Sequence, residues 1–292
     1  MLRRRDVLVT AMATLTAPIL ARAARQDASA ALKSLESRAG GRLGVCFLDT
    51  RTGRIAGNRL DERFAMCSTF KLALAGCILR EGDQGRLRLD ELVRYSKKDL
   101  LSYAPVTSKH VQEGMTIAAL AEAAQQTSDN TAANLLLAKL GGPAGFTKQL
   151  RDLGDRQTRL DRLEPEMNLV PAGDERDTTT PRAMAGTMAK FLTGDLLKPA
   201  TRDRLIDWMV QTKTGDKRIR AGLPKEWRAG DKTGTAQADS MTDKVNDLAI
   251  VFPPGRGALI VAAYYDSDKR TKDTRDEDQA LLAEAGRIAA DW

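Results

Sequence analysis

Hydrophobic and polar positions divide the chain into blocks of different period. Residues 24–38 alternate charge with alanine and predict a helix. Gly44–Thr50 (GVCFLDT) predicts a strand, closed by a turn at Arg51-Thr52-Gly53-Arg54. A long helical middle follows. Leu72–Leu79 is almost wholly apolar, so Thr69–Arg80 is expected as a buried helix that ends near Gly82. Ile117–Gln125 and Asn130–Leu140 predict further helices, the second stopped by Gly141-Gly142-Pro143, and Arg182–Leu192 and Thr201–Gln211 continue the series. The tail changes character. Trp227–Ala238, Asp247–Phe252 and Ala258–Tyr265 predict strands, with Pro253-Pro254-Gly255 among their turns, and Asp276–Asp291 predicts a closing helix. Strands at both ends around a helical block imply an α/β fold of the α+β kind, an antiparallel sheet with a helical domain inserted in it. The expected division is an α/β domain from residues 24–60 and 213–292, and a helical domain over 61–212 that includes the loop 162–177.

Residues 1–23 read as an export leader. Arg3-Arg4-Arg5-Asp6 precedes a modest apolar stretch, Val7 to Leu20, and Ala21-Arg22-Ala23 supplies small residues around a cleavage point. The stretch is too short for a spanning helix, which needs about 20 apolar residues. Paired arginines resemble a twin-arginine signal, which implies export of a folded protein and a periplasmic or secreted location, with no lasting membrane association. The other reading is a membrane anchor or a basic helical terminus.

Charge and composition then exclude several classes. The net charge is +7, of which Arg3, Arg4, Arg5 and Arg22 against Asp6 supply +3. Elsewhere the signs alternate, which describes a solvated surface better than a nucleic-acid footprint. The 3 Trp, 4 Tyr and 6 Phe in 292 residues argue against stacking platforms for sugars or single-stranded nucleic acid. One histidine, His110, excludes multi-histidine zinc sites and disfavours a Ser–His–Asp triad; it is expected on a surface or loop. No metal and no cofactor are expected. Three cysteines, none in a CxxC, make no disulfide framework.

Three short motifs carry candidate chemistry. Ser68-Thr69-Phe70-Lys71 places serine and lysine on one helix face. A lysine held neutral by burial and neighbouring cations can activate the hydroxyl, and free N–H groups at a helix start favour a developing anion. The alternative is a capping serine with an incidental lysine, but an unpaired ammonium in so apolar a helix is costly. Ser128-Asp129-Asn130 lies between two helices, where one residue can cap while the others face a cleft. Lys-Thr-Gly occurs twice. Lys213-Thr214-Gly215 ends a helix, with Gly215 read as a C-cap. Lys232-Thr233-Gly234-Thr235 opens a strand on which Gly234 permits close approach of a ligand backbone and Thr233 and Thr235 share a side, so Lys232 is the functional choice. Glu164 and Asn168 sit in a sixteen-residue loop, Arg162 to Asp177, where they can hold a water between them and Arg162 and Asp177 can close the base as an ion pair. A glutamate in such a loop is ordinarily solvated, yet a long loop without regular structure is often functional.

In this order the three motifs resemble the penicillin-recognising serine enzymes. Glu164 and Asn168 within the Arg162–Asp177 loop make the chain similar to class A β-lactamases in particular, from about residue 30 to the end. Tyr103-Ala104-Pro105-Val106-Thr107 resembles the family's cleft wall. The resemblance implies a five-stranded antiparallel sheet with flanking helices, a helical domain, a cleft between them, a monomer, and hydrolysis of penicillin- or cephalosporin-type antibiotics. It implies Ser68 as nucleophile, Lys71 or Glu164 as the base for acylation, Ser128 as proton relay beside Lys232, and Glu164 with Asn168 as holders of the deacylating water. N–H groups of Ser68 and Thr235 would bind the oxyanion, Asn130 the substrate amide, and Thr233, Thr235 and Arg218 the carboxylate, with Gly234 between the threonines and Tyr103 lining the cleft. Cys67 resembles the class A carbapenemases, but the position of its disulfide partner there is Ala236 here. Competing readings are a D,D-peptidase or transpeptidase with the same motifs, against which Glu164 and Asn168 argue, and a penicillin-sensor domain that stays acylated.

Overall fold

The two ends of the chain meet in one sheet. The computed structural model describes residues 28–292, so the expected leader and the first residues of the expected opening helix lie outside the described residues. Helix α1 covers 28–39. It is followed by β1 (Arg42–Asp49), β2 (Ile55–Asn58) and β3 (Phe64–Ala65), then α2 (Phe70–Asp83), β4 (Leu92–Val93) and β5 (Met115–Thr116). The helical middle comprises α3 (Ile117–Gln126), α4 (Asn130–Lys139), α5 (Gly142–Asp152), the short strand β6 (Thr178–Thr179), α6 (Pro181–Leu192) and α7 (Pro199–Val210). Strands β7 (Arg228–Ala238), β8 (Met241–Phe252) and β9 (Leu259–Asp266) and helix α8 (Asp276–Asp291) complete the chain. The main sheet has five strands in the order β2-β1-β9-β8-β7, every pairing antiparallel.

Strand alternation decides what each face of the sheet buries. In β9, Leu259, Val261, Ala263 and Tyr265 pack with Leu32 of α1 and Leu282, Ala285 and Ile288 of α8. Ile260, Ala262 and Tyr264 point to the other face and join one core with α2 to α7. Helix α2 lies inside that core. Eleven of its 14 residues are buried, Lys71 among them, as an apolar run without a polar face requires.

Beyond the two-residue strands β3 to β6, three elements depart from the sequence expectation. Helix α5 was not anticipated: Gly141-Gly142-Pro143 was read only as the stop of the preceding helix, and Gly142, Pro143 and Gly145 obscure a new one; only Phe146 and Leu150 face the core, and Pro143 stands in the first turn, where it suits a helix. Strand β2 follows the turn after β1 and pairs Ile55 with Leu48 and Asn58 with Val45. Strand β8 starts at Met241 rather than Asp247. Its first half carries Asp243, Lys244 and Asn246, which read as loop but are buried with partners: Lys244 Nζ lies 3.2 Å from Asp266 Oδ1, and Asn246 Nδ2 donates to Ala65 O at 2.9 Å.

Candidate active site

Ser68 stands in the tight turn Cys67–Thr69 that leads into α2, and the turn is held from outside. Cys67 has φ +47°, a left-handed conformation that costs roughly 1–3 kcal/mol in a residue with a side chain. Met66 N–H donates to Asp177 O at 3.0 Å, and Asn246 Nδ2 donates to Met66 O at 3.2 Å, fixing the turn against the loop and β8. Gly234 of β7 backs onto the same turn. A Cβ there would lie 2.8 Å from Met66 O and 3.0 Å from Thr69 Cγ2, so the glycine is required by the protein's own Cys67–Thr69 turn rather than by a ligand backbone.

Beneath Ser68, Lys71 gathers the site. Its Nζ lies 2.9 Å from Ser68 Oγ, 2.9 Å from Ser128 O, 2.5 Å from Asn130 Oδ1 and 2.9 Å from Glu164 Oε1. An ammonium has three hydrogens, fewer than these acceptors, so its protons can be redistributed among them. Burial pulls the Lys71 pKa down and the Glu164 carboxylate opposes that shift. Lys232 Nζ donates to Ser128 Oγ at 3.0 Å and to Thr233 O at 2.9 Å. Burial, reinforced by the charge on Lys71, holds the Lys232 pKa well below that of a free lysine. The Ser128 hydroxyl therefore lies between two buried amines.

The Ser128-Asp129-Asn130 segment divides its work. Asp129 Oδ1 caps α4 by accepting from Ala132 N–H at 2.9 Å, and Oδ2 accepts the N–H groups of Val106 and Thr107 at 3.0 and 2.9 Å. That fastens the segment carrying Tyr103 to the start of α4. Ser128, at φ +60°, and Asn130 are left facing the cleft.

The long loop is closed by Arg162, whose Nε lies 2.5 Å from Asp177 Oδ2, the ion pair its sequence suggested. Glu164 does not extend into solvent; it is 2% exposed, which decides between the two readings of a loop glutamate. Asn134 of α4 grips its backbone on both sides, accepting from Glu164 N–H at 3.0 Å and donating to Glu164 O at 2.9 Å. Ser68 Oγ donates to Glu164 Oε1 at 3.5 Å, and Asn168 Nδ2 donates to Glu164 Oε2 at 2.5 Å. Asn168 Oδ1 is buried without a protein partner.

Ser68, Tyr103, Ser128, Asn130, Asn168, Arg218, Thr233, Gly234 and Thr235 line one cleft of about 420 Å³, and Lys71, Glu164 and Lys232 lie just behind its wall. Arg218 is 5% exposed, and burial lowers its pKa. It donates to Gly234 O at 3.0 Å, to Asn246 O at 2.7 Å and to Thr235 Oγ1 at 2.7 Å, so it braces β7 and β8 while it charges the cleft. Thr214 and Gln237 also line the cleft, and sequence reasoning missed both, as it missed Asn134. Thr214 lay within a motif read as a helix end. That reading is corrected: α7 stops at Val210, and Gly215 is a glycine because a Cβ would stand 1.7 Å from Asp231 Oδ2. His110 is exposed after a short turn. Cys46, Cys67 and Cys77 are buried free thiols, and Cys67 packs in one small cluster with Ala236.

Comparison with known proteins bears on this arrangement directly. The β-lactamase enzyme family matches residues 27–292. β-Lactamase AST-1 of Nocardia asteroides is 47% identical over 88% of this chain and 81% of its own length. β-Lactamase L2 of Stenotrophomonas maltophilia is 44% identical over 94% of this chain and 93% of its own. A solved structure of an ancestral class A β-lactamase, GNCA, is 54% identical and superposes with a TM-score of 0.84, covering 89% of this chain and 98% of that one. Such likeness spans all of the elements that build the cleft, and on it this chain belongs to the class A serine β-lactamases.

Proposed function

We propose that the protein hydrolyses the amide bond of penicillin- and cephalosporin-type antibiotics through an acyl-enzyme on Ser68. Ser68 Oγ attacks the lactam carbonyl and gives up its proton to Lys71 Nζ, 2.9 Å away, or to Glu164 Oε1, 3.5 Å away. The carbonyl oxygen becomes an anion, which N–H groups of Ser68 and Thr235 receive. As the C–N bond breaks, the Ser128 hydroxyl protonates the leaving nitrogen and is resupplied from the amines of Lys71 and Lys232. Glu164 then takes a proton from a water whose oxygen attacks the ester; as the ester C–O bond breaks, that proton returns to the Ser68 oxygen from Glu164, directly or through Lys71, and both groups regain their starting state. The buried acceptor Asn168 Oδ1 supports a water beside Glu164. Asn130 holds the substrate's side-chain amide, Tyr103 lines the cleft, and Thr233, Thr235 and Arg218 receive the substrate carboxylate.

One observation carries this reading over a D,D-peptidase or a sensor domain. Glu164 is buried, clamped by Asn134, and within 3.5 Å of the Ser68 hydroxyl, where a base for deacylation must be. Nitrocefin turnover with intact-mass measurement tests it: many turnovers without a lasting adduct are expected, and a single stoichiometric adduct overturns it in favour of the alternatives. On the same reading the α/β part, 24–60 and 213–292, and the helical part, 61–212, form the two walls of the cleft. Residues 1–23 act as a twin-arginine leader to the periplasm, and the mature protein works as a monomer. Among the described residues no helix is long and apolar enough to cross a membrane.

Arg218→Ala is expected to weaken substrate capture. A charge-assisted hydrogen bond contributes about 1.5–3 kcal/mol, so kcat/KM falls roughly 10- to 150-fold. A lower melting temperature accompanies it, because Gly234 O and Asn246 O lose their donor. An unchanged kcat/KM means that another cation holds the carboxylate.

A further inference from the structure

The rejected copy of Lys-Thr-Gly does not end up away from the cleft. We infer that Thr214 is a positioning residue for the substrate carboxylate, acting through the hydroxyl of Thr233; this rests on the carboxylate-binding role proposed for Thr233. Thr214 Oγ1 lies 2.6 Å from Thr233 Oγ1, a short hydroxyl–hydroxyl bond in which either can donate, and both residues line the cleft.

The backbone around Thr214 is fixed independently of that bond. Lys213 N–H donates to Gln126 O at 3.1 Å, and Arg218 N–H donates to Gly215 O at 3.0 Å. Thr212 Oγ1 donates to Asp231 O at 2.8 Å, and Arg220 Nη2 donates to Thr212 O at 3.0 Å. Gly215 lies against the Asp231 carboxylate so closely that no side chain fits. The segment is thus tied to α3, to β7 at Asp231 and to the Arg218–Arg220 turn, which holds the Thr214 backbone beside Thr233.

Hydroxyl chemistry gives the pair a direction. Thr233 has one hydrogen. If it donates to Thr214, lone pairs face the cleft and repel a carboxylate. If Thr214 donates to Thr233, the Thr233 hydrogen is free for the anion, and the two bonds strengthen each other. An anion in the cleft selects the second arrangement, so Thr214 holds Thr233 as a donor. This role requires a hydroxyl at 214 and a negative charge on the substrate, and it favours binding rather than the chemical step.

The test compares benzylpenicillin with its methyl ester, which lacks the charge, on the wild type, Thr214→Val and Thr214→Ser. Loss of one neutral hydrogen bond predicts a KM for the free acid raised about 3- to 10-fold in Thr214→Val, with kcat within about twofold. The ester should respond by less than about twofold, and Thr214→Ser should restore the wild-type KM. Adding Thr214→Val to Thr233→Val should change nothing further. Thr214→Ala, judged against Thr214→Ser in the same way, replaces the valine variant if the latter does not melt cooperatively. An equal loss on acid and ester, a serine variant as poor as the valine one, or an unchanged KM overturns the inference while the wild type still turns over both compounds. A wild type that hydrolyses neither overturns the proposed function itself.

Discussion

Glu164→Gln is expected to halt the reaction at a covalent adduct on Ser68. Glutamine is nearly isosteric, so Asn134 can still hold the backbone and Arg162 can still close the loop on Asp177. What is lost is a buried carboxylate able to take a proton from the attacking water. General-base catalysis contributes about 10²–10⁴-fold, and deacylation should slow by that factor. Acylation retains Lys71 at 2.9 Å from the Ser68 hydroxyl. The variant should therefore give a burst of one equivalent with a good penicillin, followed by slow release, and intact-mass spectra should show the adduct. Turnover near that of the wild type with no adduct would mean that Glu164 does not serve the water, and the D,D-peptidase reading would gain.

Lys71→Met is expected to fail one step earlier. Methionine preserves most of the volume in the core of α2, so packing should change little. The amine that bridges Ser68, Ser128, Asn130 and Glu164 disappears. If Lys71 takes the serine proton, acylation should slow by about 10²–10⁴-fold, and no adduct should accumulate at any time. Glu164 is left buried without its cation, and removing one partner of a buried pair destabilises by roughly 3–5 kcal/mol. A lower melting temperature should therefore accompany the kinetic loss. Pre-steady-state acylation rates near those of the wild type would show that the proton travels to Glu164 instead. The two variants separate the halves of the reaction: one accumulates the intermediate and the other never forms it.

Neither outcome depends on Lys213 or on the first Lys-Thr-Gly as a catalytic element. Its role is that of a wall. Gly215 lies against the Asp231 carboxylate, whose pKa burial raises to about 6 against the opposing charge of Arg220, and Thr214 faces the cleft. A motif dismissed on local grounds thus returns as part of the site on tertiary grounds.

What the sequence determined alone is what depends on near neighbours. The three-residue spacing of Ser68 and Lys71 keeps them within reach of each other across the turn that opens α2, and the bond between them is 2.9 Å. Leu72–Leu79 has no polar face, so α2 had to be buried. Asp129 is a good cap, and capping one residue of Ser128-Asp129-Asn130 leaves its neighbours free to face the cleft. Strand segments at both ends, around a helical block, implied a shared sheet. Tertiary structure decided the rest. Whether Glu164 was a solvated loop residue or a buried partner of Lys71 depended on Asn134, on a different helix, gripping its backbone. The length of β8 depended on partners for Asp243, Lys244 and Asn246, which local polarity marks as loop. Gly234 and Gly215 are glycines because of what lies opposite them, Met66 and Thr69 in one case and Asp231 in the other. Periodicity and capping are properties of a few consecutive residues, whereas burial of a charge, close approach of two strands or turns, and the pairing of Thr214 with Thr233 exist only once distant segments have been brought into register.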